Sequence, residues 1–226
     1  MKIYVKDGDF VIPGQLIGEN INCNLEYCIV EGNKVYSTVE GLVRVNRKNV
    51  KIIPSFGGYI PKKDDIVIGV VIEVLPSGWV MDINSPYLCI MEGEEATEEV
   101  FKSNLKDFFD VGDIISAKVS EVNEVNSCKV VNPKKLIGGI VVDVNPKRIP
   151  RILGKKRSML LLLREKTQCR IIVGQNGRVW IKGENTPIAI EAIKKIEREA
   201  QTKGLTDRIE RMLDEKLGMV KKKNEK

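Results

Sequence analysis

The order of apolar patterns after residue 135 constrains this chain more than any other feature. A strand-like run at 137–144 precedes a short helical segment that opens at Pro146 and reaches Leu153. A second helix is predicted over 158–167, with Ser158 as its N-cap. Two strands, 169–173 and 178–181, then flank the turn Gly174-Gln175-Asn176-Gly177. Thr186-Pro187 reads as an N-cap followed by proline at the first helical position. Ala189, Ala192, Ile193, Ile196 and Ala200 follow at helical spacing, so one face of that helix packs down. A last helix is expected over 206–217, residues 218–226 form a basic tail, and Lys221-Lys222-Lys223-Asn224-Glu225-Lys226 within it reads as disordered. The order is β-α-α-β-β-α, and the loop Gly154-Lys155-Lys156-Arg157 separates the first two helices.

The preceding 134 residues are patterned differently. Residues 1–60 carry short strand candidates at 28–30, 35–39 and 42–45 between turns such as Val11-Ile12-Pro13-Gly14 and Glu31-Gly32-Asn33-Lys34, with no helical period. Phe56-Gly57-Gly58-Tyr59-Ile60-Pro61 reads as a connector. Within 61–134, five strand candidates are separated by turns and one polar stretch at 92–104, read as a loop with a short helix. That spacing predicts a small closed antiparallel barrel. The fold class is therefore multi-domain, mostly β and then α+β. Its parts are an N-terminal β domain (1–60), a five-stranded OB-type barrel (61–134), an α+β domain with added C-terminal helix (135–217) and the tail.

Charge follows the same division. The net charge of +6 sums unlike parts: seven basic against six acidic residues in 1–60, seven against fourteen in 61–134, and twenty-three against eleven in 135–226. The excess cation is thus concentrated in the last third, as expected of a module that meets a polyanion. The chain has no histidine, which excludes Ser-His-Asp and Cys-His catalysis and His-ligated metal sites. The five cysteines form no CxxC pair, so neither a zinc ribbon nor another metal site is expected, and no cofactor. Their odd number, and an N-terminus without a long apolar region, lead us to expect reduced thiols, buried as small hydrophobes, in a cytoplasmic protein. No run of 18 apolar residues suggests a membrane partner.

Three features could carry chemistry. In Gly154-Lys155-Lys156-Arg157, glycine lets the backbone approach a phosphate, a helix N-terminus lies behind it, and three cations add charge. A solvated basic turn is the plain alternative. Between two helices of a β-α-α-β-β-α unit, however, this is the clamp position of a KH module, which grips single-stranded nucleic acid. Gly174-Gln175-Asn176-Gly177-Arg178 is either a simple hairpin, since Asn-Gly favours such turns, or an exposed edge that meets RNA or a neighbouring subunit. Trp79 and Tyr87 either pack in the barrel or stack on bases, with Lys102, Lys106 and Lys118 lining a groove. The acidic run at 92–99 reads as a solvated loop rather than a metal site, since such sites need carboxylates converging from several elements.

These features bring a family into view. The runs Val11-Ile12-Pro13-Gly14, Tyr59-Ile60-Pro61-Lys62-Lys63-Asp64-Asp65-Ile66-Val67-Ile68-Gly69 and Ile149-Pro150-Arg151-Ile152-Leu153-Gly154-Lys155-Lys156 carry the likeness. The most specific run is Cys169-Arg170-Ile171-Ile172-Val173-Gly174-Gln175-Asn176-Gly177-Arg178-Val179-Trp180-Ile181, with a GxNG signature. Over nearly its whole length the chain resembles the archaeal exosome RNA-binding cap subunits that combine an S1 barrel with a KH domain. The resemblance implies a non-catalytic subunit, with no catalytic residues. Three copies, alone or mixed with a zinc-ribbon cap subunit, would sit on a hexameric RNase PH-like ring and feed it single-stranded RNA for 3′–5′ degradation. It implies ring docking by the N-terminal domain and a type I KH fold for residues 135–217. The family's clamp loop ends in glycine where this chain has Arg157, whose guanidinium could instead reach a phosphate. The alternative is a structural adaptor that mainly docks protein, with incidental RNA contact.

Overall fold

Every second residue of Asn49–Pro54 is buried, and such alternation organises the first part of the chain into two small sheets. The computed structural model describes residues 2–224 except 25, 47, 48, 56, 101, 102 and 203. The strands of the first unit, Met1–Gly57, are β1 (Lys2–Ile3), β2 (Phe10–Val11), β3 (Leu16–Glu19), β4 (Asn22–Cys23), β5 (Cys28–Glu31), β6 (Lys34–Ser37), β7 (Gly41–Asn46) and β8 (Asn49–Pro54). They pair in the orders β1-β3-β6-β5 and β2-β7-β8-β4. Val11, Ile17, Val35, Val43, Val50 and Ile52 form the shared core. One expectation fails here. Cys23 and Cys28 are joined by a disulfide, their Cα atoms 6.4 Å apart, because the turn between β4 and β5 folds the two side chains onto each other. Cys89, Cys128 and Cys169 are free and buried, as expected of small hydrophobes.

The second unit, Gly58–Lys226, begins with a closed barrel. Its strands are β9 (Ile66–Leu75), β10 (Gly78–Asp82), β11 (Leu88–Glu92), β12 (Ile114–Val122) and β13 (Ser127–Lys135), in the order β10-β11-β13-β12-β9. The β11–β13 pair is parallel and the others are antiparallel. The polar stretch after β11 forms two 3₁₀ turns, Gly93–Glu95 and Leu105–Asp107. Inward-facing Val67, Val71, Trp79, Met81, Cys89, Met91 and Ile115 fill the barrel.

The α+β half follows in the expected order: β14 (Ile140–Asp143), α1 (Ile149–Leu153), α2 (Ser158–Thr167), β15 (Arg170–Val173), β16 (Arg178–Lys182), α3 (Thr186–Arg198) and α4 (Leu205–Asn224). The sheet order is β14-β16-β15, so the last of the three in sequence lies at the centre. Ile152, Leu163, Ile171, Val179, Ile181, Ala189 and Ile193 bind the helices to one sheet face. The opposite face is not left to water. Trp180 packs there with Ile68 of β9 and Leu136, giving the barrel and the α+β half a common small core.

The last helix departs from expectation. It does not stop at residue 217 but runs Leu205–Asn224, so most of the segment read as a disordered tail is helical. Gly218 weakens the helix by about 1 kcal/mol without ending it, because the helix is already anchored by buried Ile209, Met212 and Leu213 and the lysines that follow are good helix formers.

Candidate nucleic-acid interface

The loop between α1 and α2 stands on unusual backbone. Gly154 has φ +73°, and Lys156 (φ +52°) and Arg157 (φ +63°) are both left-handed. That conformation costs an L-residue roughly 1–2 kcal/mol. Two consecutive cationic residues therefore hold a geometry that glycine would adopt freely. Lys155, Lys156 and Arg157 are all exposed. Arg157 occupies the N-cap position of α2 without a side-chain cap bond, and the Ser158 N–H at the start of α2 donates to the Lys155 carbonyl within the loop. Cationic side chains, a helix N-terminus and strained backbone converge, which is the chemistry of an anion clamp.

Beside the loop lies a cleft of about 100 Å³ lined by Leu153 of α1, Arg157, Leu160 and Arg164 of α2, Ile172 and Val173 of β15, Gln175, and Ile66 of the barrel. The Arg164 guanidinium donates from Nε to the Ile171 carbonyl at 3.0 Å, tying α2 to β15. Apolar walls with cations at the rim suit an unstacked base whose phosphate lies on the loop. Sequence reasoning found Arg157 but missed Leu153, Leu160, Arg164, Ile172, Val173 and Ile66. The signal for two of them was there: Leu160 and Arg164 follow Arg157 at i+3 and i+7, on the same helical face.

The Gly174-Gln175-Asn176-Gly177-Arg178 turn is neither a plain hairpin nor an exposed edge. It clips the α+β half to the barrel. The Gln175 N–H donates to the Ile66 carbonyl at 2.8 Å, and the Ile66 N–H donates back to Gln175 Oε1 at 3.1 Å. Asn176 is fully buried. Its Nδ2 donates to the carbonyls of Ile68 (2.8 Å) and Ile83 (2.9 Å), and its Oδ1 accepts from the Ile68 N–H (3.1 Å). The primary amide presents the same donor and acceptor as a peptide unit, so it pairs with barrel backbone as a short strand would. Arg178 completes the clip, donating from Nη1 to the Asp82 carbonyl at 2.7 Å and pairing with the Asp82 carboxylate at 2.5 Å. The flanking glycines follow from this crowding. A Cβ on Gly174 would meet Asn176 Oδ1 at 2.3 Å, and one on Gly177 would meet the Val144 carbonyl at 2.4 Å. Gly174, Asn176 and Gly177 are buried in this joint, which corrects their assignment to an RNA-facing edge, and Gln175 and Arg178 spend most of their bonds on it.

Trp79 is corrected likewise. It is fully buried, its Nε1 donates to the Phe109 carbonyl at 2.7 Å, and its ring meets the Phe109 ring edge-on at 5.3 Å. An indole in the barrel core offers no face to a base. Tyr87 is half-buried against the same core, and Lys106 is exposed on the turn Leu105–Asp107. Lys118 pairs with Asp64 at 2.7 Å, both side chains being well exposed. Lys102 lies outside the described residues. Among the described residues, no group of His, Cys, Asp and Glu could hold a metal ion.

Comparison with known proteins matches this architecture at both ends of the chain. Residues 139–187 match the family model of the KH domain, and residues 9–55 that of the exosome RNA-binding protein Rrp4 N-terminal domain. The chain is 41% identical over 234 residues to the exosome complex component Rrp4 of Pyrococcus furiosus, covering 98% of this chain and 89% of that protein. It is 39% identical over 217 residues to the Rrp4 component of Methanothermus fervidus, covering 93% of this chain and 97% of that one. A crystal structure described as an exosome complex RNA-binding protein superposes with a TM-score of 0.65 at 33% identity, covering 72% of this chain and 99% of its own. The chain belongs to the Rrp4 family of exosome complex components.

Proposed function

We propose that this chain grips single-stranded RNA at the loop 154–157 and its neighbouring cleft, and passes the 3′ end to a hexameric RNase PH-like ring. As an Rrp4-family protein it is a non-catalytic RNA-binding cap subunit of the archaeal exosome. The observation that carries the RNA assignment is the loop itself. Lys155, Lys156 and Arg157 are exposed, the last two on left-handed backbone, between an apolar cleft and the N-terminus of α2. In this reading residues 1–60 dock on the ring, 61–134 form the barrel, 135–217 hold the RNA, and 218–226 add basic charge. Three copies cap a ring, alone or mixed with the zinc-ribbon cap subunit, in the cytoplasm. No helix among the described residues is long and apolar enough to cross a membrane.

The test is fluorescence anisotropy with a labelled A-rich 15-mer, titrated between about 50 and 300 mM salt. The wild-type chain should show a steep salt dependence. Replacing Lys155, Lys156 and Arg157 together by Ala should lower the log–log slope by about 2 and weaken binding at least about tenfold at low salt. Salt-independent binding, or none by the ring-bound protein, sinks the reading. The adaptor alternative has specific support, because Trp79, Asn176 and Gln175 serve the fold. It gains if the triple variant assembles on the ring and RNA degradation continues unchanged.

A further inference from the structure

The cleft beside the loop is not built by the α+β half alone. Its end wall is Ile66, the first residue of β9, which is 38% exposed and whose backbone is held by the Gln175 N–H and the Gln175 side-chain Oε1. Strand alternation fixes what stands beside it. Val67 and Val71 point into the barrel, so Ile66 and Ile68 point outward, toward the α+β half. In the antiparallel β9–β12 pair, Lys118 is the register partner of Ile66 and Ser116 that of Ile68. Directly opposed residues of such a pair project from the same sheet face, so Lys118 emerges beside Ile66, the residue that walls the cleft. Its ammonium is held at 2.7 Å by the carboxylate of Asp64, an exposed pair of the kind a competing phosphate readily replaces.

We propose that the nucleotide site is composite: one unstacked base of single-stranded RNA lies in the cleft against Ile66, with one flanking phosphate on the loop 154–157 and the next on Lys118 of the barrel. This deepens the RNA reading above and rests on it. The acidic barrel, unpromising by net charge, thereby contributes one local cation and one apolar wall, and the Gln175–Asn176 clip keeps them in register with the loop. Asp64 is the resident competitor for the second phosphate.

Three substitutions in the full-length chain test this with the same labelled 15-mer. Lys118→Ala should lower the salt slope by about 0.7, the loss of one phosphate contact on a single strand. Ile66→Ala should weaken binding about three- to tenfold by removing the wall against the base, while retaining its backbone bonds to Gln175. Asp64→Asn should tighten binding about two- to threefold by freeing Lys118. Asp64 sits at φ +72°, a conformation asparagine also tolerates, so this gain is not confounded by misfolding. A single 4-thiouridine in the oligomer should photo-crosslink to peptides containing both Arg157 and Ile66. If the triple loop variant loses RNA while these three substitutions change nothing, the composite site is wrong and the loop reading stands. If the wild-type chain binds no RNA, both fall.

Discussion

A single side chain, Asn176, does the most to join the two halves of the second unit. Three barrel backbone groups, the Ile68 N–H and the carbonyls of Ile68 and Ile83, meet its amide in a site without solvent. Asn176→Ala should therefore leave buried polar groups unpaired and cost about 2–4 kcal/mol, read as a lower urea midpoint of the full-length chain. Asn176→Asp should be no milder, since an oxygen would then face two carbonyl oxygens. Arg157 is the opposite case, a residue the fold tolerates rather than needs. Arg157→Gly removes a strained left-handed side chain and should raise stability by about 0.5–1 kcal/mol while weakening RNA binding. A variant that loses both would mean that the guanidinium has a structural role. The family resemblance marked Arg157 as a departure from the usual loop; local pattern could not reveal that Asn176 is buried, because Asn-Gly reads identically in any hairpin.

At the scale of elements, the joint between β10, β14 and β16 carries an ionic contribution. Arg178, whose side chain is only 13% exposed, reaches Asp82 of β10 and, at 3.6 Å, Asp143 of β14. Burial pushes the Asp82 carboxyl up, but the hydrogen bonds from Arg178 and the Asn84 N–H outweigh it and hold the group below the ordinary value of 3.8. A depressed folded-state value means that the stabilisation is fully present above the unfolded value and is lost as pH falls through the folded one. The stability difference between wild type and Asp82→Asn should accordingly be constant near neutral pH and shrink as the pH drops below about 4. A difference that persists at lower pH would assign the effect to packing instead. The elements themselves were largely legible: the β-α-α-β-β-α order, the five barrel strands and the turn residues follow from periodicity and local chemistry. The end of α4 was not, because whether a helix continues past a glycine such as Gly218 depends on the surface that anchors it.

For the whole molecule, the boundary read near residue 134 divides two patterns that share one core. Ile68, Leu136 and Trp180 close together across it, and Gly58–Lys226 is a single compact unit. A fragment covering 58–226 should unfold in one cooperative transition by circular dichroism and intrinsic fluorescence, with coincident midpoints. Two resolved transitions would mean that the clip and the shared core contribute little. From the chain alone came the barrel, the α+β topology and the third of the molecule that carries the cation excess, because these are written in local period, turn chemistry and charge, while the family came from the resemblance of particular runs such as 169–181. Only the tertiary structure decided that Trp79 faces the core, that the Gly174–Arg178 turn grips the barrel and that Ile66 of the barrel lines the cleft. A residue's neighbours across strands and halves are set by packing, and local pattern does not encode which polar group will find which partner.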